Sequence, residues 1–276
     1  MELKSILTGI EGLKVRGDLD LSIKKLESDS RAVKKGDLFV AIKGFDTDGH
    51  EYIAKAIENG AIAVLAQADT SKEQLKAIPE NITLIVAPDT RLALATAACN
   101  FYQNPSREFK LIGVTGTKGK TTTTYMIKEI LEKQGKKVGL IGTIATYIAG
   151  KKLEDSDRTT PESLKLQQLF RQMADAGCEA VVMEVSSQSL KLNRVAGCDF
   201  DIGVFTNFSE DHISPKEHPD MEDYFQSKLK LFSMCKQGFA NADDLHASRV
   251  PKLVTNCPVQ TYGIDNYCDL LAKDIT

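Results

Sequence analysis

"VTGTKGKTTTTYM", residues 114–126, decides how the rest of this chain is read. Two glycines, two lysines and a run of hydroxyls stand between an apolar strand, "KLIGVTG" from residue 110, and a stretch over 120–134 with helical spacing. Gly116 and Gly119 are free to take positive φ, which lets backbone N–H groups come close to an anion. A helix that starts at Lys120 adds N–H groups without intrahelical partners and the positive end of a dipole. Lys120 offers a point charge to β- and γ-phosphate oxygens, and Thr121 places a hydroxyl where Mg²⁺ is ligated in such loops. The full Walker pattern wants glycine six residues before the lysine, where this chain has Val114. The bare alternative is a glycine-rich turn that holds nothing. The G-x-x-G-K-T order in a strand–loop–helix setting favours a nucleoside triphosphate, held by Gly116, Thr117, Lys118, Gly119, Lys120, Thr121 and Thr122.

Outward from this loop the chain alternates. Before it, "DLFVAI" (37–42), "AIAVLA" (61–66) and "ITLIVAPDT" (82–90) read as strands, "GHEYIAKAIENG" as a helix closing on Gly60, and 91–104 as a helix stopped before Pro105. After it come strands at 136–143, 179–185, 200–208 and 259–263, with helices at 161–176 and 222–234. Continuously apolar strands between helices predict α/β architecture with a parallel sheet covered on both faces. "YQNPSRE" (102–108) marks the expected boundary, giving a small N-terminal α/β domain over 1–105 and a P-loop-type domain over 106–276. Ligands in such sheets bind at the carboxyl ends of the strands.

The 276 residues carry 35 basic against 38 acidic side chains, a net charge of -3, and 42% hydrophobic residues. This excludes a general nucleic-acid binder, so any grip on an anion is local. The six cysteines show neither paired spacing nor partner histidines and are expected as reduced thiols. Met1 is followed by Glu2 and Lys4 without an apolar stretch, and no run approaches the length of a membrane helix. A cytoplasmic protein without membrane insertion is expected.

Further candidates lie at two other strand ends. Glu184 closes "AVVME", where a carboxylate is costly to bury without a partner or a metal. Asp211 and His212 follow the strand at 200–208. A carboxylate and an imidazole beside a triphosphate suit a Mg²⁺ environment, although hard Mg²⁺ prefers oxygen. Read singly, His212 is a loop histidine and Glu184 the partner of a core lysine. Their common sheet edge argues for the site.

Several segments together resemble the ATP-dependent Mur ligases of the UDP-N-acetylmuramoyl-tripeptide synthetase (MurE) type. They are "SDSRAVKKGDLFVAIKGFDTDGHEYIAKAIENGAIAV" (28–64), "GVTGTKGKTTT" (113–123), "TTPES" (159–163), "MEVSSQSL" (183–190), "TNFSEDH" (206–212) and "DYFQSKLKLF" (223–232). The resemblance implies an N-terminal uridine-nucleotide-binding domain and a central ATP-binding domain. It implies activation of the carboxylate of UDP-MurNAc-L-Ala-D-Glu by ATP, followed by amide formation with an incoming amino acid. It places Ser28, Ser30 and Arg31 at the uridine diphosphate, and Thr159, Thr160, Ser186 and Arg194 at the muramoyl peptide. Lys120 and Lys228 take catalytic roles. Thr121 and Glu184 would ligate one Mg²⁺, and His212 would help hold a second; Lys228, as a carbamate, would join them. Without the resemblance, Lys228 reads as a solvated residue on an amphipathic helix. Gln188 stands where the family motif has histidine, and Ser214 where it has an acidic residue. The family also carries a third, C-terminal domain, so a fragment unable to complete ligation is expected, from a protein monomeric at full length. Folylpolyglutamate and cyanophycin synthetases of the same superfamily, or a nucleotide-binding paralogue without ligation, are the alternatives.

Overall fold

In the computed structural model, which describes every residue except Asp46, Lys216, Ile275 and Thr276, the apolar runs become strands of two separate sheets. The chain divides into compact units at Met1–Gln103 and Asn104–Thr276.

The described residues of the first unit form α1 (Leu3–Ile6), β1 (Lys14–Arg16), β2 (Leu26–Glu27), β3 (Leu38–Val40), α2 (Ile53–Glu58), β4 (Ala63–Gln67), α3 (Lys72–Lys76), β5 (Thr83–Ala87) and α4 (Thr90–Phe101). The sheet order is β1-β5-β4-β3-β2, parallel from β2 to β5. Only β1 runs antiparallel, along β5. Phe39, Val64, Ile53 and Leu84 lie in its core. Asp89 starts α4 by accepting from the N–H groups of Arg91 and Leu92 at 2.8 and 3.0 Å, the usual service of an N-cap carboxylate.

In the second unit the described elements are β6 (Lys110–Thr115), α5 (Lys120–Lys133), β7 (Val138–Ile141), β8 (Ala145–Ile148), β9 (Lys151–Asp155), α6 (Ser163–Asp175), β10 (Ala180–Glu184), α7 (Ser187–Lys191), β11 (Phe200–Phe205), α8 (Met221–Leu229), β12 (Cys235–Asn241), α9 (Val250–Leu253), β13 (Val259–Gly263) and β14 (Leu270–Leu271). They build one sheet in the order β14-β13-β12-β11-β6-β10-β7-β8-β9. Strands from β14 to β7 are parallel, and β8 and β9 extend the sheet in antiparallel fashion. The first strand, β6, thus lies in the interior of the sheet with β10 and β11 on either side, the arrangement in which a crevice forms at the carboxyl edge. Phe109, Phe170, Phe200, Phe205, Tyr224 and Phe232 are among the residues filling its core.

The expected parallel sheet is present from β14 to β7, and β8 and β9 add to it a hairpin that the alternation of strands and helices does not announce. Its turn is Ala149-Gly150, both at positive φ (49° and 81°). Such turns favour Asn-Gly or Asp-Gly, and alanine in the first place hides the signal. The helix expected over 222–234 ends at Leu229 and tightens into a 3₁₀ turn over Lys230–Met234. No described helix is long and apolar enough to cross a membrane.

Phe170 is fully buried with its ring edge-on to Phe109 at 5.5 Å. Phe170→Ala is therefore expected to cost about 3–5 kcal/mol, read as a lowered urea midpoint.

Candidate functional site

The register of β6 with its neighbours puts three loops side by side. Val114 pairs with Glu184 of β10, and Thr115 with Phe205 of β11. The Gly116–Gly119 loop, Val185–Ser186 and Thr206–Asn207 accordingly leave one edge of the sheet together. Gly116 sits at φ 143°, and a Cβ there would lie 2.0 Å from Thr206 Oγ1 and 3.1 Å from the Asn207 nitrogen. Only glycine fits this approach. Thr117 N–H donates to the Asn207 carbonyl and Lys118 N–H to Asn207 Oδ1, each at 2.9 Å. Thr206 Oγ1 and Asn207 Nδ2 donate in return to the Lys118 carbonyl at 2.7 and 3.0 Å. Two loop amides are thus committed within the protein. The donors that remain for an anion are those at the start of α5, where Gly119 is the N-cap at φ 82° and no side chain caps the helix.

Lys120 and Lys228 converge on this loop. Lys120 Nζ donates to the carbonyls of Gly116 and Thr117, both at 2.9 Å. Lys228 Nζ donates to the same Gly116 carbonyl at 2.8 Å and lies 4.4 Å from the centre of the Tyr224 ring. Lys228 is 1% exposed, which overturns its reading as a solvated helix residue. Burial, with Lys120 adding to it, pushes its ammonium down to about 6. Burial also lowers Lys120, with Glu184 and Asp211 acting against it.

Glu184 is fully buried at the end of β10. Its carboxylate accepts from Thr143 N–H at 2.8 Å and from Thr143 Oγ1 at 3.1 Å. A Cβ on Gly142 would meet Glu184 Oε1 at 2.5 Å, so the neighbouring loop is glycine by need of space. No three His, Cys, Asp or Glu side chains among the described residues assemble closely enough to cage a metal. Mg²⁺ carried on a nucleotide keeps waters and phosphate oxygens and takes only one or two protein oxygens. The Glu184 carboxylate and Thr121 hydroxyl are donors of that kind. An ammonium at Lys228 is not, since it repels a cation.

Lys120, Lys228, Thr159, Thr160, Ser186, Arg194 and His212 line one cavity of about 250 Å³ in the second unit. Thr160 is its buried staple: its Oγ1 donates to the Glu184 carbonyl at 2.9 Å and accepts from Ser186 N–H at 3.1 Å. Arg194, 5% exposed, reaches the Thr160 carbonyl at 3.3 Å and Glu162 at 2.9 Å. His212 is at the exposed rim at φ 56°, with Nδ1 3.2 Å from Glu217. Gly119, Lys118 and Thr122 are exposed, and Thr121 half-buried, at the loop and first turn of α5. Sequence reasoning missed Arg158, Ser187 and His218, which share this lining, and Asn207, which clasps the loop. Nothing local signals Asn207, because the clasp joins segments about 90 positions apart in the chain.

Ser28, Ser30 and Arg31 belong to a second cavity, of about 560 Å³, in the first unit, with Phe39, Thr47 and Tyr52. Arg31 is exposed and makes a two-pronged ion pair with Asp29 at 2.9 and 2.7 Å. That contact holds the Asp29 carboxyl below its ordinary value.

Known proteins match both units of the chain. Residues 22–102 match the Mur ligase family catalytic domain, and 114–276 the Mur ligase middle domain. The chain is 47% identical over 275 residues to the UDP-N-acetylmuramoyl-L-alanyl-D-glutamate–2,6-diaminopimelate ligase of Clostridium botulinum, covering all of this chain and 55% of that one. The corresponding ligase of Clostridioides difficile is 44% identical, again over all of this chain and 55% of its own length. A solved structure of a ligase of that name superposes with a TM-score of 0.78 at 26% identity, covering 96% of this chain and 53% of that one. The chain spans about half the length of these relatives, and it belongs to the Mur ligase family.

Proposed function

We propose that this chain holds ATP and UDP-MurNAc-L-Ala-D-Glu for a cytoplasmic ligase of peptidoglycan precursor synthesis that adds an amino acid through an acyl phosphate. The observation that carries the reading is the meeting, in one cavity, of two lysines that donate to the Gly116 carbonyl with Thr160, Ser186 and Arg194. The transferred γ-phosphoryl group and the receiving carboxylate are both anions, so the chemistry is largely positioning and charge neutralisation. The free amides at the start of α5 and the Lys120 ammonium would take the β- and γ-phosphates. Arg194 would face the substrate carboxylate in a two-pronged contact, and Ser28, Ser30 and Arg31 would serve the uridine diphosphate. Glu184 and Thr121 would hold a nucleotide-borne Mg²⁺, which supplies further neutralisation of the phosphate charge when bound, and His212 is placed at the rim for a second ion. The relatives' names, with identities of 44–47%, favour this reading over a folylpolyglutamate-type ligase.

Lys228 deepens the proposal. With its ammonium held at about 6, the amine is neutral at pH 7 and free to add CO₂. The new N–C bond costs one proton and leaves a carbamate, an oxygen donor in place of a repelling cation.

Phosphate release by the protein as expressed from its own gene, with ATP, Mg²⁺ and UDP-MurNAc-L-Ala-D-Glu, is expected to depend on an added amino acid; release that ignores every amino acid tried would sink the ligase reading. Lys120→Ala is expected to abolish ATP binding by calorimetry with little change in unfolding temperature. Retained affinity would remove the loop from the site.

Lys228→Met is expected to stabilise the unmodified chain while abolishing turnover. The folded-state value near 6 lies below the unfolded 10.5, so the unfolded chain binds the extra proton between those limits. This lysine's contribution to stability therefore rises with pH across that window, and is poorest below about pH 6. The melting-temperature gain of Lys228→Met should be largest below about pH 6 and shrink as pH rises towards 10.5, and a gain independent of pH would contradict the assignment.

A further inference from the structure

Beyond the phosphate end, the same cavity contains a chain of hydrogen bonds that the roles above leave unused. Ser187, at the first turn of α7, is 4% exposed, and its Oγ lies 2.9 Å from His218 Nε2. His218 is fully buried, and its Nδ1 lies 2.6 Å from Asp223 Oδ2 on α8. Asp223 is in turn held by Lys191 at 2.7 Å, and Lys191 also donates to the Glu217 carbonyl at 3.0 Å. A carboxylate at Nδ1 fixes the proton there, so Nε2 is the acceptor and the serine hydroxyl its donor. Ser187 and His218 both line the cavity beside Lys120, Thr160 and Arg194.

We propose that Ser187, His218 and Asp223 form a proton-accepting relay that meets the cavity at Ser187 Oγ, with the incoming amine as its proton donor. The inference rests on the ligase reading above. An amine that attacks an acyl phosphate must shed a proton, and most groups around the cavity cannot take it. Lys120, Arg158 and Arg194 are cations, and Lys228 is held at the Gly116 carbonyl and, on the ligase reading, taken up as a carbamate. His212 and Glu217 bind each other at the exposed rim. Among the described residues lining the cavity, His218 alone is a base both buried and wired to a hydroxyl on the cavity wall. Its surroundings keep it a base: burial lowers the imidazole first, Asp223 opposes that, and Lys191 reinforces it. The Tyr224 ring, 5.0 Å away, closes another side.

The step balances. The amine nitrogen bonds to the acyl carbon, and the carbon–oxygen bond to phosphate breaks with its electron pair leaving on phosphate. The nitrogen's surplus proton passes to Ser187 Oγ as the hydroxyl's own proton moves to His218 Nε2. The imidazolium, stabilised by Asp223, then returns a proton to Ser187 Oγ as the hydroxyl passes its own to the departing phosphate. Ser187 is the catalytic group, His218 acts through it, and Asp223 is a positioning residue.

Two measurements test this. In the present chain, nitrogen-15 NMR of His218 at neutral pH should show Nδ1 protonated and Nε2 bare, with the Nε2 resonance displaced in Ser187→Ala. An Nε2–H tautomer, or a resonance blind to Ser187→Ala, overturns the relay whether or not the protein is a ligase. In the protein as expressed from its gene, Ser187→Ala should lower kcat for amino-acid-dependent phosphate release about 100-fold while the KM values for ATP and UDP-MurNAc-L-Ala-D-Glu stay near wild type. The acid limb of the kcat profile should disappear in Ser187→Ala and His218→Asn. An unchanged kcat or an unchanged acid limb in a folded variant sinks the proposal; a wild type that releases no phosphate sinks the ligase reading instead, and the NMR result then decides the relay.

Discussion

Two lysine side chains share one carbonyl oxygen, that of Gly116, and much of the site follows from that constraint. Lys120 and Lys228 both donate to it, from different helices, at 2.9 and 2.8 Å. Burial first, and the like charge of Lys120 second, push the Lys228 ammonium down to about 6. Glu184 and Asp211 offset the charge only from a distance, as secondary influences behind burial. A fold seeking stability alone would not place two amines here. The arrangement makes sense as a seat for a polyanion, whose arrival supplies the missing negative charge without reorganising the donors.

The carbonyl is held in place by a segment remote in sequence. Thr206 and Asn207, leaving β11, occupy the space a Gly116 side chain would need and engage the amides of Thr117 and Lys118 and the Lys118 carbonyl. The loop is therefore rigid before any ligand binds, at the expense of two N–H groups that a simple glycine-loop picture would give to phosphate. The unpaired N–H groups are left at the first turn of α5, where Lys120 begins the helix and the dipole is strongest.

What the sequence shows and what it hides divide along this line. Gly116, Gly119 and Lys120 are legible because their chemistry is local: positive φ, close approach and a charge at a helix start. Most strands are legible from apolar runs. The β8–β9 hairpin is not, since Ala149 occupies a position where asparagine or glycine would advertise the turn. Lys228 is not, since a lysine in "DYFQSKLKLF" carries no mark of burial; only the packing of α8 against the loop makes it 1% exposed. His218 is hidden for the same reason. It lies in the loop ending "KEHPD", and its partners Ser187 and Asp223 come from two different helices.

Thr160 ties the two ends of the cavity together. Its hydroxyl joins the carbonyl of Glu184 to the amide of Ser186, and its own carbonyl receives Arg194. Glu184 ends the strand beside the Gly116 loop, whereas Ser186 caps the short helix that presents Ser187 to His218. One buried threonine thus sets, through backbone contacts rather than long side chains, the separation between the charge-bearing end and the hydroxyl-bearing end. Catalysis by positioning tolerates displacements of well under an ångström poorly. A serine at 160 would keep the hydroxyl but free its rotation, because only threonine's methyl locks χ1; the geometry here needs the locked form.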